Sequence, residues 1–293
     1  MTGPVLVTGA TGNLGGATVR SLQAAGVAVR AAARDPEAVA RRHPGVEAVR
    51  LDFADPATFA PALRGTSGLF LVRPPHITRV GNTLNALIDA ADCHVVFASV
   101  AGADSNRLVP HHRVEAHLRT SRVAWTVLRP GFFAQNLADA YRADIVDDDR
   151  LHVPAGTGRV AFIDVRDIAD AAAQVFTDPA AHHGSAYRLT GPHALDFTTV
   201  ATLLTRELDR TISYQPATTL GYLRHLRARG LPLAQGLVQT VLHVGLRHGQ
   251  AATVDHTLPT LLRRPARTLR QYIHDHRTTW LPGGQGPPAT IRG

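Results

Sequence analysis

The chain has 293 residues, 44% of them hydrophobic, enough for one large core or a domain with an attached lobe. A single cysteine, Cys93, excludes an internal disulfide and fits a reducing compartment. All 31 basic residues are arginine, which excludes a lysine Schiff base, a phosphate-binding P-loop and a Tyr-x-x-x-Lys pair, and the net charge is +8.

Val5-Leu6-Val7-Thr8 is a short apolar, β-branched run. Gly9-Ala10-Thr11-Gly12-Asn13-Leu14-Gly15 follows, and residues 17–25 read as a helix. Strand, glycine turn and helix start in this order predict a dinucleotide site. Gly9 permits the tight turn, Gly12 lets backbone N–H groups approach a pyrophosphate, and Gly15 lets helix and strand pack closely. The second strand, 27–33, ends at Arg34. No acid precedes Arg34 to bind a ribose 2′-hydroxyl, although Asp35 follows it; an arginine there suits a 2′-phosphate. NADPH is therefore expected over NADH, a surface arginine without a ligand being the alternative.

A helix over 37–43 stops at Pro44-Gly45, and strand 46–51 runs into Asp52 and Phe53, where an acid can meet the adenine amino group. Asp55-Pro56 caps another helix, ending at Arg64-Gly65. Strand 69–72 leads to Val72-Arg73-Pro74, placed under the pyrophosphate or nicotinamide ribose. A helix over 83–91 precedes strand 94–98, which ends in Ser99-Val100. On the helix over 111–119, His111 and Glu115 stand one turn apart. His111 and His112 are candidates for proton transfer; pairing of His111 with Glu115 is the alternative. Strand 124–128 is closed by Arg129-Pro130-Gly131, then Phe132 and Phe133. Strands alternating with helices predict a doubly wound parallel sheet of Rossmann type, with ligands at the carboxyl ends of its strands.

Asp147-Asp148-Asp149 reads as a solvated turn, and no metal is expected. Strand 160–163 precedes a helix to residue 176, in which Asp164 caps and Asp167 favours the helix dipole. After strand 186–189 the chain reads as helical over 197–208, 221–229, 233–245 and 268–276. Leu233, Leu237, Val241 and Leu242 recur at helical spacing and are expected in the core. The organisation expected is an NAD(P)-binding Rossmann domain over 1–150 and a smaller, mostly helical substrate lobe over 151–280. Some strands and helices of that lobe are expected to return to the Rossmann core. Residues 281–293, rich in Gly and Pro, are expected to form a flexible tail. Residues 201–280 hold 11 arginines against four acids. This basic stretch suits an anionic ligand or a set of solvated helix faces. No recognition motif accompanies it, so no nucleic acid is expected. No leader follows Met1 and no apolar run is long enough to span a bilayer, so a cytoplasmic protein without a membrane partner is expected. A homodimer is left open.

The ordered motifs resemble the NmrA-like group of atypical short-chain dehydrogenases/reductases, over about residues 3–280. They are Val7 to Gly15, Arg34-Asp35-Pro36, Phe70-Leu71-Val72-Arg73-Pro74, Pro110 to Glu115, Trp125 to Asn136, Asp164 to Ala169 and Leu189-Thr190-Gly191-Pro192. That group includes NAD(P)H:quinone oxidoreductases and azoreductase-like proteins. The resemblance implies cofactor contacts at Gly9, Thr11, Gly12, Asn13, Leu14, Gly15, Arg34, Asp52, Phe53, Val72, Arg73, Pro74, Ser99, Val100 and Pro130. Phe132, Phe133 and Asn136 are expected on the substrate side. Ser99 stands where the common short-chain dehydrogenases carry a catalytic serine, yet no Tyr-x-x-x-Lys follows. The usual acid for a carbonyl oxygen is missing, which favours acceptors that are already electrophilic. The function implied is NADPH-dependent hydride delivery to a flat conjugated acceptor, such as a quinone or an aromatic polyketide-like metabolite. The alternatives are a non-catalytic NADP(H) sensor and a tailoring enzyme for coupling, isomerisation or dehydration.

Overall fold

A computed structural model describes residues 3–73 and 80–281. Pro74 and residues 282–293, named above, lie outside the described residues. The first half alternates strands and helices. It runs β1 (Val5–Val7), α1 (Asn13–Ala24), β2 (Val29–Ala33), α2 (Pro36–Arg42), β3 (Glu47–Arg50) and a 3-10 turn into α3 (Phe59–Leu63). Then come β4 (Gly68–Val72), α4 (Val80–Asp89), β5 (His94–Ala98), α5 (His111–Thr120) and β6 (Trp125–Pro130). The second half runs α6 (Arg142–Asp147), β7 (Arg150–Leu151), β8 (Arg159–Ala161), α7 (Val165–Thr177), α8 (Pro179–His182) and β9 (Ser185–Leu189). It continues through β10 (Ala194–Asp196), α9 (Phe197–Leu208), β11 (Ser213–Tyr214), α10 (Thr219–Ala228), α11 (Leu233–Arg247), α12 (Thr257–Leu262) and α13 (Leu269–Asp275).

Seven parallel strands form one sheet in the order β3-β2-β1-β4-β5-β6-β9. The strand order reverses between β1 and β4, the switch point where such sheets bind ligands. Both faces are covered, so β1 and β5 are buried at every position. Side chains alternate across the sheet. Val5, Val7, Phe70, Val96 and Leu128 join a core with α1 and α7, while Leu6, Leu69, Leu71, Val95, Phe97 and Val127 join one with α3, α4 and α5. A third core gathers Tyr141, Phe162, Phe197, Tyr222, Tyr272 and Trp280 in the lobe. β9 is thus a late strand spent on the first sheet, and α7 packs along α1.

Many of the lobe's arginines have internal work. Arg229 reaches Asp144, Asp147 and Asp148 at 2.8–3.1 Å, and Arg210 reaches Asp149 at 3.2 Å. The acidic turn is therefore an ion-paired one. Asp164 caps α7, and the buried Asp167 holds Arg264 at 2.7 Å and also Arg267. No helix among the described residues is long and apolar enough to cross a membrane.

One expectation fails. Leu233, Leu237, Val241 and Leu242 do not enter the core; they are 47–70% exposed. The buried stripe of α11 is instead Gly236, Thr240, His243 and Leu246. Periodic spacing shows that the four share a face, but not which face turns inward.

Two buried histidines give the fold a pH dependence. His94 Nε2 donates to Thr126 Oγ1 at 2.9 Å, and burial, then His183 and His182, push its pKa down to about 4. His111 is likewise near 4. Both stay neutral in the fold but take up protons near 6.5 when unfolded. Their contribution is complete above that pH and is lost as pH falls toward 4. Asp139, raised to about 6 by burial, opposes them over a narrower range. Urea unfolding should show the protein about 2 kcal/mol less stable at pH 5 than at pH 7. His94→Gln, which keeps a donor for Thr126, should remove most of that net loss, because Asp139 then offsets the greater part of what His111 contributes.

Candidate cofactor and substrate site

At the switch point, β1 runs into a turn that only glycine can make twice over. Gly9 has φ 63°, in the left-handed region. A Cβ on Gly15 would stand 2.2 Å from the Gly9 carbonyl oxygen and 2.7 Å from that of Thr8. The Gly12 N–H donates to Gly9 O and the Gly16 N–H to Gly12 O, each at 2.9 Å. Thr8 latches the turn to the neighbouring strand: its hydroxyl donates to Phe70 O at 3.2 Å and accepts the Val72 N–H at 2.8 Å. From the other side, buried His43 donates Nε2–H to Ala10 O at 3.0 Å.

α1 begins without a side-chain cap, and no acid stands in its first turn. Its first N–H groups and dipole are therefore available to an anion, as a bound pyrophosphate requires. Thr11 is exposed on the turn, whereas the Leu14 side chain is buried in the core. Asn13 donates Nδ2–H to Asp139 Oδ2 at 2.7 Å, tying the turn to the segment after β6. Burial lifts the Asp139 carboxyl against that hydrogen bond. The two residues are 126 positions apart, and nothing in the sequence pattern signals the contact.

Arg34 is exposed just beyond β2. Its neighbour Asp35 is engaged elsewhere, accepting the Glu37 N–H at 2.9 Å and facing Arg41 at 3.5 Å. Asp52 accepts the Ala54 N–H at 2.9 Å, and Phe53 lies edge-on to Phe59. Val72 and Arg73 are half-buried at the end of β4.

Ser99 ends β5 with its hydroxyl turned inward, donating to Glu115 Oε1 at 2.6 Å. Glu115 is fully buried. Arg129 reaches it through Nε and Nη2, the shortest contact 2.6 Å, and Arg119 through Nη2 at 2.8 Å. Burial pushes the Glu115 carboxyl up, but hydrogen bonds from Arg129 and Ser99, with the charges of Arg129 and Arg119, bring it below its ordinary value. The pairing of His111 with Glu115 does not form, because β5 and β6 deliver better donors. His111 stacks on Phe97, ring centroids 5.9 Å apart, and its buried Nδ1 meets no partner among the described residues. Burial and the charge of Arg73 outweigh Glu115 and keep the ring neutral at neutral pH. Half-buried His112 donates Nδ1–H to Ala103 O at 2.8 Å, which anchors the ring through that nitrogen.

Phe132 and Phe133 diverge. Phe133 packs on the core of α1 and α7, while Phe132 joins the lobe, edge-on to Phe162 and His243. Asn136 is half-buried in the next turn. Beyond it the Tyr141 hydroxyl donates to His243 Nε2 at 2.5 Å, and His243 donates Nδ1–H to Gln239 O. Val100 lies beside Ser99, and the Ala101 N–H bonds Pro130 O at 2.9 Å, so the ends of β5 and β6 hold each other.

The model of the NmrA-like family matches residues 1–255. The chain belongs to that family. NAD(P)H azoreductase of Xenophilus azovorans is 32% identical over 281 residues, 93% of this chain and 97% of that protein. Quinone oxidoreductase 2 of Escherichia coli is 30% identical, over 92% of this chain and 97% of that protein. A crystal structure of an NADPH-dependent quinone oxidoreductase from Escherichia coli, complexed with NADPH, matches with a TM-score of 0.83 at 26% identity. It covers 92% of this chain and 99% of its own.

In this NmrA-like chain the Gly15 contact is a steric test of the turn. Gly15→Ala should weaken NADPH binding about ten-fold or more in calorimetry, since the Gly9 carbonyl must move and open the turn. A thermal melt run alongside reports any cost to the fold.

Proposed function

We propose that this NmrA-like protein is an NADPH-dependent reductase whose acceptor is a flat conjugated molecule such as a quinone. The uncapped start of α1 above the latched glycine turn carries this reading. Kinship with an NAD(P)H azoreductase and a quinone oxidoreductase over nearly the whole chain supports it. When bound, NADPH supplies a hydride. The turn from Gly9 to Gly15, with Thr11, Gly12, Asn13 and Leu14 contributing backbone, holds the pyrophosphate. Arg34 takes the 2′-phosphate while Asp35 is kept on α2, which favours NADPH over NADH. Asp52 and Phe53 border the adenine. Val72 and Arg73, Ser99 and Val100, and Pro130 hold the reacting ring at the ends of β4, β5 and β6, and Pro74, next in the sequence, is assigned to the same contact.

The proton inventory selects the acceptor. Ser99 gives its hydrogen to Glu115 and so offers lone pairs rather than a proton. No tyrosine–lysine pair replaces it. An unactivated ketone would build full charge on one oxygen without the serine, tyrosine and lysine that share that task in the common short-chain dehydrogenases. A quinone takes hydride into a conjugated ring that spreads the charge, and its later protonation is undemanding. His112, anchored through Nδ1, suits that step at Nε2. His111 stays neutral and presents a polar edge. Phe132, Phe133 and Asn136 form the acceptor's side of the site.

Purified protein mixed with NADPH and a quinone panel should consume NADPH, followed by nicotinamide absorbance. Tight NADPH binding with no oxidation by any acceptor would replace catalysis with redox sensing. Arg34→Ala should lower kcat/KM for NADPH about ten-fold or more and leave the value for NADH nearly unchanged. Equal losses for both cofactors would remove Arg34 from the 2′-phosphate.

A further inference from the structure

α11 is an inside-out helix. Its inner stripe is Gly236, Thr240, His243 and Leu246, and its outer face is Leu233, Leu237, Val238, Val241 and Leu242. Leu220, on the neighbouring α10, is exposed as well. The inner stripe is small and polar for a reason. A Cβ on Gly236 would already stand 3.2 Å from Leu223, and His243 is required by Tyr141. The outer face has no such account within one chain. The five α11 residues expose roughly 500 Å² together, as much as the largest apolar patch on a typical soluble protein. The chain's other residues offer little to cover them: outside the described stretches, the only large apolar side chains are Met1, Ile77 and Ile291.

We propose that this face is a homodimer interface, α11 of one copy crossing α11 of another about a twofold axis. Three observations favour a second copy. First, Leu233, Leu237 and Val241 form one ridge at four-residue spacing, and Val238 and Leu242 lie on the next. Identical ridges of this kind interdigitate across a twofold axis at a crossing angle of about −50°. Second, from Leu233 to Leu246 the helix carries no Arg, Lys, Asp or Glu, so no charge is desolvated when two such faces meet. Third, two copies of the five α11 residues would bury up to about 1,000 Å² between them, close to where specific interfaces begin. An anionic bilayer fits less well. Surface-lying helices present a cationic polar face beside the apolar one, whereas Thr240 and His243 of α11 are buried and its exposed Gln235 is uncharged, the one cation being Arg247 at the last position. Nearby Arg229 is already held by three aspartates.

The interface has a salt signature. Each copy carries a net charge of +8, so association brings like charges together over an apolar contact. Added salt screens the repulsion and leaves the apolar contact intact, so the dimer tightens. A lipid or nucleic-acid partner would loosen instead.

The test is sedimentation velocity on the full chain, from low-micromolar to sub-millimolar protein, at low and high salt. The wild type should dimerise, more tightly at high salt. Val241→Glu and Leu237→Glu, both at solvent-facing positions, should each weaken the dimer about ten-fold or more with unchanged circular dichroism. Leu108→Glu, at a leucine 91% exposed in the loop after β5, should leave it intact. A wild type that stays monomeric across the range overturns the proposal. So does a dimer indifferent to both α11 variants, or a monomer that floats with anionic vesicles. The readout is mass, not turnover, so it stands or falls apart from the reductase reading.

Discussion

The amino end of this protein is shaped by the lack of one carbon atom. Gly15 brings the first turn of α1 against the carbonyls of Thr8 and Gly9, closer than any side chain would permit. That approach aims the helix start at the switch point of the sheet, with its N–H groups uncapped. Thr8 fixes the same turn to β4, and His43 fixes it from α2. The turn is thus held on three sides by groups that have no other visible task. A preorganised cradle of this kind does not have to be ordered when a phosphate arrives, which leaves more of the contact energy for binding.

Without lysine, every cation in the fold is a planar, forked one. The structure uses that shape repeatedly. Arg229 spans three aspartates on α6 and the turn beyond it, while Arg264 and Arg267 converge on Asp167 of α7. The two groups tie the late helices to elements placed earlier in the chain. Five of the eleven arginines of residues 201–280, namely Arg210, Arg229, Arg264, Arg267 and Arg270, thus meet acids in space, most of them far away in sequence. Those five act as clamps within the fold, and the charge they carry is not open to an anionic acceptor.

What could be read from the sequence followed distance along the chain. The strand 94–98, the helix 197–208, the cap at Asp164 and the glycine turn are local matters, settled by neighbours within a few positions, and all stand in the structure. The pairing of Glu115 is not local. Spacing offers it His111 one turn away, but Glu115 belongs to Ser99 and Arg129, which arrive on two other strands. The contact between Asn13 and Asp139 is hidden for the same reason. α11 is the instructive miss, since its pattern is regular and its orientation is inverted. Hydrophobic spacing reports that a face exists and is silent about what lies against it.

The inward turn of Ser99 bears most directly on chemistry. Glu115 is buried, charged and satisfied by two arginines as well as the serine. To free the Ser99 proton for a substrate would leave a carboxylate in the interior short of a donor, at a cost of order 1–3 kcal/mol. The network therefore acts against the serine as an acid, independently of the missing tyrosine and lysine. On the proposed reading this selects acceptors whose own conjugation stabilises incoming charge. The fold then needs to supply little beyond alignment of donor and ring, which a rigid sheet edge and a latched turn are well made to give.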